Sequence, residues 1–384
     1  MFMSDDLNIW MVTVSCPGTY GKRRTANGGR MERLNRAQAQ ERNRALVLAA
    51  ARLEFAERGF RDAKVDHIAA RAGLTRGAVY SNFPGKRALY FAVLAGIAEA
   101  EPLPPPGRAG TAAEALGAFA RAWMTGLPLN EDADDDGAGG LGRHLAAEIV
   151  ADDRVRRAYA QLARLDAVLL GLALEGLRLD GQRMVRVAET VLTLLHGAGA
   201  MADTAPGFVE PFGVITACAH LATAGLDDSW PPPHLAYVAP ARPADRPWTP
   251  PRAVDALRGA PAPLAADGVV AVLGLHRLGA AEEAVRGVRP GDAVTVAVAT
   301  GDAEVAPLAR LTVARLRGCL RAAVPPAAWP VLRLVFDDTG AVAAAAGVHA
   351  TSDATEAAIR IHDGRVVARA EGIGAAHAAA TAPA

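Results

Sequence analysis

The chain has 384 residues, 51% of them hydrophobic but only 5% aromatic, and its 41 Lys+Arg balance 41 Asp+Glu. That length allows two or three domains with real cores. Three cysteines, Cys16, Cys218 and Cys319, with no Cys-x-x-Cys pair, exclude a disulfide scaffold and a cysteine zinc site and point to a reducing, cytoplasmic setting.

The apolar runs are too short or too broken for a spanning helix, so no membrane partner is expected. Asp5 and Asp6 precede the apolar run Ile9–Val14, and the basic residues follow it. That is the reverse of a secretory leader. The zero net charge also hides an asymmetry. Residues 22–100 carry 16 Lys/Arg against 7 Asp/Glu, and residues 101–240 carry 10 against 18. A basic block of that size suits a polyanion, although basic side chains also serve simply to solvate helix faces.

Residues 1–35 lack a sustained period over most of their length and read as a disordered basic arm. Residues 36–100 read as short helices. Val47, Ala50, Ala51 and Phe55 form the apolar stripe of a first helix, which Gly59 ends. Val65, Ile68, Ala69 and Ala72 share one face of a second helix. Gly73 suits its left-handed cap, and Thr75 suits the N-cap of a third helix that buries Val79 and Phe83. Ala69, Gly73 and Val79 supply a small contact, a turn glycine and an apolar anchor, the needs of two helices crossing closely at a helix-turn-helix. Pro84-Gly85 stops the third helix, and Lys86 opens a fourth.

Phe55-Ala56-Glu57-Arg58-Gly59-Phe60, Ile68-Ala69-Ala70-Arg71-Ala72-Gly73, Val79-Tyr80-Ser81-Asn82-Phe83 and Lys86-x-x-Leu89 resemble the N-terminal domain of tetracycline-repressor (TetR) family regulators. The resemblance covers about residues 40–97. It departs at Glu54, where the family usually has an apolar residue, and at Lys64, where Ser or Thr commonly caps the second helix. It implies a DNA-binding transcriptional regulator, most often a repressor, that acts as a homodimer on a palindromic operator and is released by a small-molecule effector. The third helix would enter the major groove by its N-terminal end. There Arg76 can reach guanine bidentately, Gly77 admits close backbone approach, and Thr75 caps the helix. By resemblance, Tyr80, Ser81, Asn82 and Lys86 would lie along the DNA backbone, and Lys64 could add a further contact. His67 reads as solvated.

Residues 101–226 read as a helical effector-binding and dimerisation domain. Arg183–Gly197 and Phe212–Ala224 are its candidate dimer helices, and an acidic loop, 127–140, interrupts it. Trp123, Met124, His144, Tyr159, His196, Met201, Phe208 and Phe212 could line a pocket, but ordinary core is the commoner role for each. The acids Asp132–Asp136 fit an exposed loop better than a cation site. Residues 227–252 are dense in proline and read as a linker, incompatible with a helix or a central strand.

Residues 253–384 change period. Runs at Val269–Leu275, Ala293–Thr300 and Val331–Phe336 alternate with helical stretches, and Asp363-Gly364 joins two further strands as a hairpin. The pattern β-α-β-α-β-α-β-β predicts an α/β domain with a mixed sheet. LRLVFDDTGAVAAAAGV and AAIRIHDGRVVARAEG resemble the thioredoxin-like fold, peroxiredoxin-like members in particular. The redox position would fall near Leu275–Ala280, which holds no cysteine, and Cys319 reads as a buried small hydrophobe. The fold class is therefore multidomain: an all-α helix-turn-helix domain, an all-α effector domain and an α/β thioredoxin-like domain, with no cofactor, no metal site and no enzyme activity. The alternative is a redox protein, or an inactive derivative of one, with an accessory DNA-binding part.

Overall fold

A computed structural model describes residues 28–127, 141–178, 181–230, 238 and 240–383, with side chains from residue 38 onward. The basic segment 1–27, the acids Asp132–Asp136 and part of the proline-rich stretch lie outside the described residues. The chain divides into two units, residues 1–42 and 43–384. Every contact given below lies within the second.

Helix α1 spans Gly28–Asp62 and is broken at Gly59, whose φ of 70° is non-helical. It already includes residues 28–35, which were expected to be a disordered arm. Then come α2 (Val65–Arg71), α3 (Arg76–Asn82), α4 (Lys86–Ala100) and α5 (Ala112–Thr125). Helices α6 (Leu145–Val150), α7 (Asp153–Glu175), α8 (Val185–Thr204) and α9 (Pro211–Leu221) complete the helical body. Capping follows the chemistry of the sequence: Thr111 caps α5, Asp152 caps α7 and Glu210 caps α9, each side chain accepting from a first-turn N–H.

The C-terminal part is a six-stranded mixed sheet in the order β1-β8-β7-β4-β5-β6. Its strands are β1 (Arg242–Pro247), β4 (Gly268–Gly274), β5 (Ala293–Ala299), β6 (Leu332–Phe336), β7 (Glu356–His362) and β8 (Arg365–Glu371). A separate small ribbon pairs β2 (Val254–Asp255) with β3 (Ala260–Pro261). Strands β4, β5 and β6 are parallel, while β7 and β8 run antiparallel. The intervening helices are α10 (Ala280–Gly287), α11 (Ala306–Ala323), α12 (Ala341–Ala345) and α13 (Ala375–Thr381). At the hairpin, Asp363 and Gly364 both have positive φ, 47° and 69°, as a two-residue turn of type I′ requires.

Strand β1 lies inside the segment expected to be a linker. Pro243 and Pro247 lack an N–H, which confines such a strand to a sheet edge, and β1 is an edge strand. Just beyond it, Trp248 is buried and donates Nε1–H to the Leu264 carbonyl at 2.7 Å.

The sheet's two faces bury different sets. Val270, Val272, Ala297, Val335 and Ile359 face a small core with Trp248, Leu264 and Val342. Val269, Ala271, Leu273, Val296 and Leu334 face the other way, into a core continuous with that of α1–α9. Helix α11 makes the join by packing on α4, α5 and α7. The stretch after α4 lies on its end: Gly107 N–H donates to the Arg321 carbonyl at 2.7 Å, and Arg321 Nε to the Pro104 carbonyl at 2.7 Å. A Cβ at Gly107 would meet the Ala323 backbone at 2.3 Å, so only glycine fits this approach.

Candidate nucleic-acid interface

Helices α2 and α3 form a tight pair. Ile68 and Ala69 are buried on α2, Val79 on α3 and Phe83 just beyond it. Gly73 turns between the helices at φ 66°, and Leu74 N–H returns to the Ala69 carbonyl at 2.9 Å. The Thr75 hydroxyl accepts from Ala78 N–H at 3.2 Å and caps α3.

With Val79 and Phe83 turned inward, the opposite side of α3 faces solvent. Thr75, Arg76, Gly77, Tyr80 and Ser81 are exposed there, Asn82 is half-buried, and Lys64 is exposed at the start of α2. Arg76 sits over the Tyr80 ring, 5.5 Å from its centroid, and lies 3.4 Å from the Asp66 carboxylate. Its hydrogen bond to Tyr80, reinforced by the Asp66 charge, raises its pKa further, and the guanidinium stays charged. Ser81 Oγ and Asn82 Nδ2 both donate to the Ala78 carbonyl, at 2.9 and 2.8 Å. Lys64 provides no side-chain cap to α2.

Lys86, for which the resemblance implies a phosphate contact, has its ammonium on backbone carbonyls. Its Nζ donates to the carbonyls of Phe60 at 2.7 Å, Arg61 at 3.0 Å and Ala63 at 3.1 Å, and it lies 4.5 Å from the centre of the Phe60 ring. An ammonium has three donors, and here all three meet carbonyls at the end of α1.

Glu54, a departure from the family pattern, is a buried hub. Arg58 Nε, His67 Nδ1 and Arg71 Nη2 lie 3.2, 3.0 and 3.7 Å from its carboxylate. Arg71 also clamps Glu57 through two hydrogen bonds, 2.7 and 2.6 Å. His67, read as solvated, thus joins α2 to α1. The 13-residue separation gave no local signal of this pair. Arg44, which no motif singled out, stacks 4.6 Å over Phe83 and covers the back of α3.

Residues 47–93 match the family described as bacterial regulatory proteins, tetR family. The stretch is a TetR-family helix-turn-helix domain. The transcriptional activator FasR of Mycolicibacterium smegmatis is 42% identical over 74 residues, 19% of this chain and 32% of that protein. The transcriptional regulator SrpR of Pseudomonas putida is 45% identical over 65 residues, 17% of this chain and 30% of that protein. The chain thus spans about a third of the length of these two relatives. Among solved structures, a TetR-family transcriptional regulator from Mesorhizobium loti aligns over 48% of this chain and 94% of its own, at 16% identity and TM-score 0.24. The fatty acid degradation regulator FadR from Bacillus halodurans aligns over 47% and 98%, at 16% identity and TM-score 0.23.

Elsewhere, Asp267, His362 and Asp363 bring one ligand atom each to within 4.8 Å of one another. Asp267 already accepts from the Asp363 N–H at 3.0 Å and sits 2.9 Å from His362 Nδ1, so these groups anchor the hairpin turn. Cys218 and Cys319 are buried, and burial pushes their thiols up to about 11 and about 12. A thiol held in that range is not a nucleophile at neutral pH. No described helix is long and apolar enough to cross a membrane.

Proposed function

We propose that the protein is a DNA-binding transcriptional repressor that grips a palindromic operator as a homodimer. The observation that carries this reading is the outer side of α3. Arg76, Gly77, Tyr80 and Ser81 are presented together on a short helix whose inner residues, Val79 and Phe83, are locked into the core. Arg76 leaves Asp66 for a guanine edge, a bidentate contact that fixes sequence. Tyr80, Ser81, Asn82 and Lys64 line the approach to phosphates, which fix register. Lys86 serves by holding the end of α1 against α4 rather than by touching the duplex.

The dimer reading is supported by an unpartnered face on α8 and α9. Thr193, Gly197, Ala200 and Met201 on one helix, and Phe212, Gly213, Thr216 and Ala217 on the other, are exposed. Phe208 and Phe212 leave 72% and 70% of their surface in solvent, large apolar side chains that a second copy would cover. Small residues there admit close helix packing against a second copy.

Residues 253–384 we read as a thioredoxin-like domain without thiol chemistry. Support comes from the order β8-β7-β4-β5, with β4 and β5 parallel and β7 reversed. The loop at Leu275–Ala280 holds no cysteine and is engaged by the helical body: Gly279 N–H donates to Gln161 Oε1 on α7 at 3.0 Å. Its place is in the architecture of a regulator, not in turnover.

Selection of bound fragments from a random DNA pool tests the proposal. The expected product is an inverted repeat with half-sites about one helical turn apart. Failure to enrich any sequence, with the folded protein at low salt, overturns it.

A further inference from the structure

Two consecutive cations open α4. Lys86 holds the end of α1, while Arg87 meets the helical body and the C-terminal segment. The Nε of Arg87 lies 3.2 Å from Glu148 on α6. Its Nη1 lies 3.0 Å from Asp152, the cap of α7, and 3.4 Å from Glu304. Glu304 belongs to the loop between β5 and α11. One residue at the root of the DNA-reading head therefore ties it to both other parts of the chain. Arg87 and Glu304 keep only 22% and 23% of their side-chain surface in solvent, so salt screens this pair less than an exposed one.

A chain of hydrogen bonds sets the Glu304 loop. Thr300 Oγ1 donates to Asp353 Oδ1 at 2.7 Å and accepts from Asp302 N–H at 3.0 Å, and Asp302 Oδ1 accepts from Glu304 N–H at 2.9 Å. Arg154 on α7 closes the cluster, 3.3 Å from Asp152, 3.6 Å from Glu304 and 3.7 Å from Asp302. Farther along α4, Arg310 on α11 lies 3.7 Å from Glu99, and the two helices pack together. Nearer the reading helix the contact changes character. An open cleft of about 620 Å³ lies between Pro84, at the junction of α3 and α4, and the loops of Asp302 and Ser352. Beside that cleft the head is held by directed charge contacts rather than by close apolar packing.

We propose that Glu304, acting through Arg87, is a positioning residue for the reading helix. The C-terminal α/β part thereby sets the attitude of the head on the helical body, and with it the half-site spacing that two heads can span. The physical ground is leverage. Arg87 sits on the first turn of α4, three residues beyond Pro84, so a tilt allowed there is carried directly to α3. Spacing between half-sites is a geometric demand on two heads at once, and it tightens when each head is held. The C-terminal part then acts in recognition without touching the duplex. The consequence for spacing rests on the operator reading, while the brace itself is read on the free protein.

Glu304→Gln in the full chain tests it, since the change removes the charge and keeps the shape. On the selected operator the variant is expected to bind about fivefold or more weakly and to discriminate less against longer and shorter spacers. An isolated half-site, which imposes no spacing, should be bound equally by parent and variant. Glu304→Asp, which keeps the charge, should restore part of the preference. Adding Glu304→Gln to Arg87→Met should change little further, as for residues that act through one contact. Spin labels on Ser81→Cys and Val331→Cys, both exposed positions, with Cys16→Ser, read the head in the free protein. A narrow distance distribution in the parent and a broader or shifted one in Glu304→Gln are expected. The proposal is overturned if that distribution does not change, or if Glu304→Gln loses as much affinity for the half-site as for the operator. A parent chain that selects no DNA defeats the operator reading alone, and the spin-label distances then decide whether Glu304 holds the head.

Discussion

Lys86, on the first turn of α4, donates to the carbonyl of Phe60, 2.7 Å away at the end of α1. Two more carbonyls share the ammonium, so the lysine locks the angle between two helices that frame α2 and α3. Its replacement by methionine is expected to cost about 2 kcal/mol, the range for hydrogen bonds to a charged group. Thermal melting reads the loss. The slope of log affinity for DNA against log salt should not change. A phosphate-contacting lysine would lower that slope by about 1 on removal, so the salt titration separates the two roles.

Arg76 stands between Asp66 and open solvent. Arg76→Ala should cost about 1–3 kcal/mol of operator affinity and relax the sequence requirement at one position of each half-site. Asp66→Asn should strengthen binding a few-fold, because it removes a like-signed neighbour of the DNA and frees the arginine. Fluorescence anisotropy on the selected operator and its single-position variants measures both.

Phe212 leaves 70% of its surface in solvent beside Gly213, Thr216 and Ala217. Phe212→Glu puts a charge into the centre of the proposed dimer face, where desolvation is costly. Sedimentation is expected to show a dimer for the parent chain and a monomer for the variant, with the helical content of the monomer unchanged.

Glu283 on α10 has a carboxyl oxygen with no hydrogen-bond partner among the described residues. Burial, helped by the nearby Glu356 charge, raises its pKa from 4.5 to about 7. The folded state therefore holds this proton over a window in which the unfolded chain has lost it. Stability falls as pH rises from 4.5 to about 7 and levels off above. Glu283→Gln removes that fall and should gain about 2 kcal/mol near pH 8, after a discount for partial solvent access. Urea midpoints across the range check the sign.

Burial also sets thiol reactivity. Cys218 and Cys319, at about 11 and about 12, should resist iodoacetamide at neutral pH in the native protein and react in denaturant. Mass spectrometry of the labelled peptides reads each site separately. Rapid native labelling of Cys319 would reopen a thiol role for the C-terminal domain.

The local periodicities of this chain wrote much of its structure into short windows. The bend at Gly73, the cap at Thr75, the inward side of α3 and the Asp363-Gly364 turn each depend on residues within a few positions of one another, so sequence alone determined them. The β/α alternation of residues 268–381 was legible for the same reason. What the sequence could not supply were pairings across long separations. Glu54 looked like a misplaced acid until Arg58, His67 and Arg71 closed around it. Lys86 was expected along the DNA backbone, and only the fold brings the end of α1 within reach of it. The proline-rich stretch hid an edge strand, because an edge needs a partner strand more than 100 residues away. Burial of charge is a property of the surrounding chain, and no window of the sequence contains it.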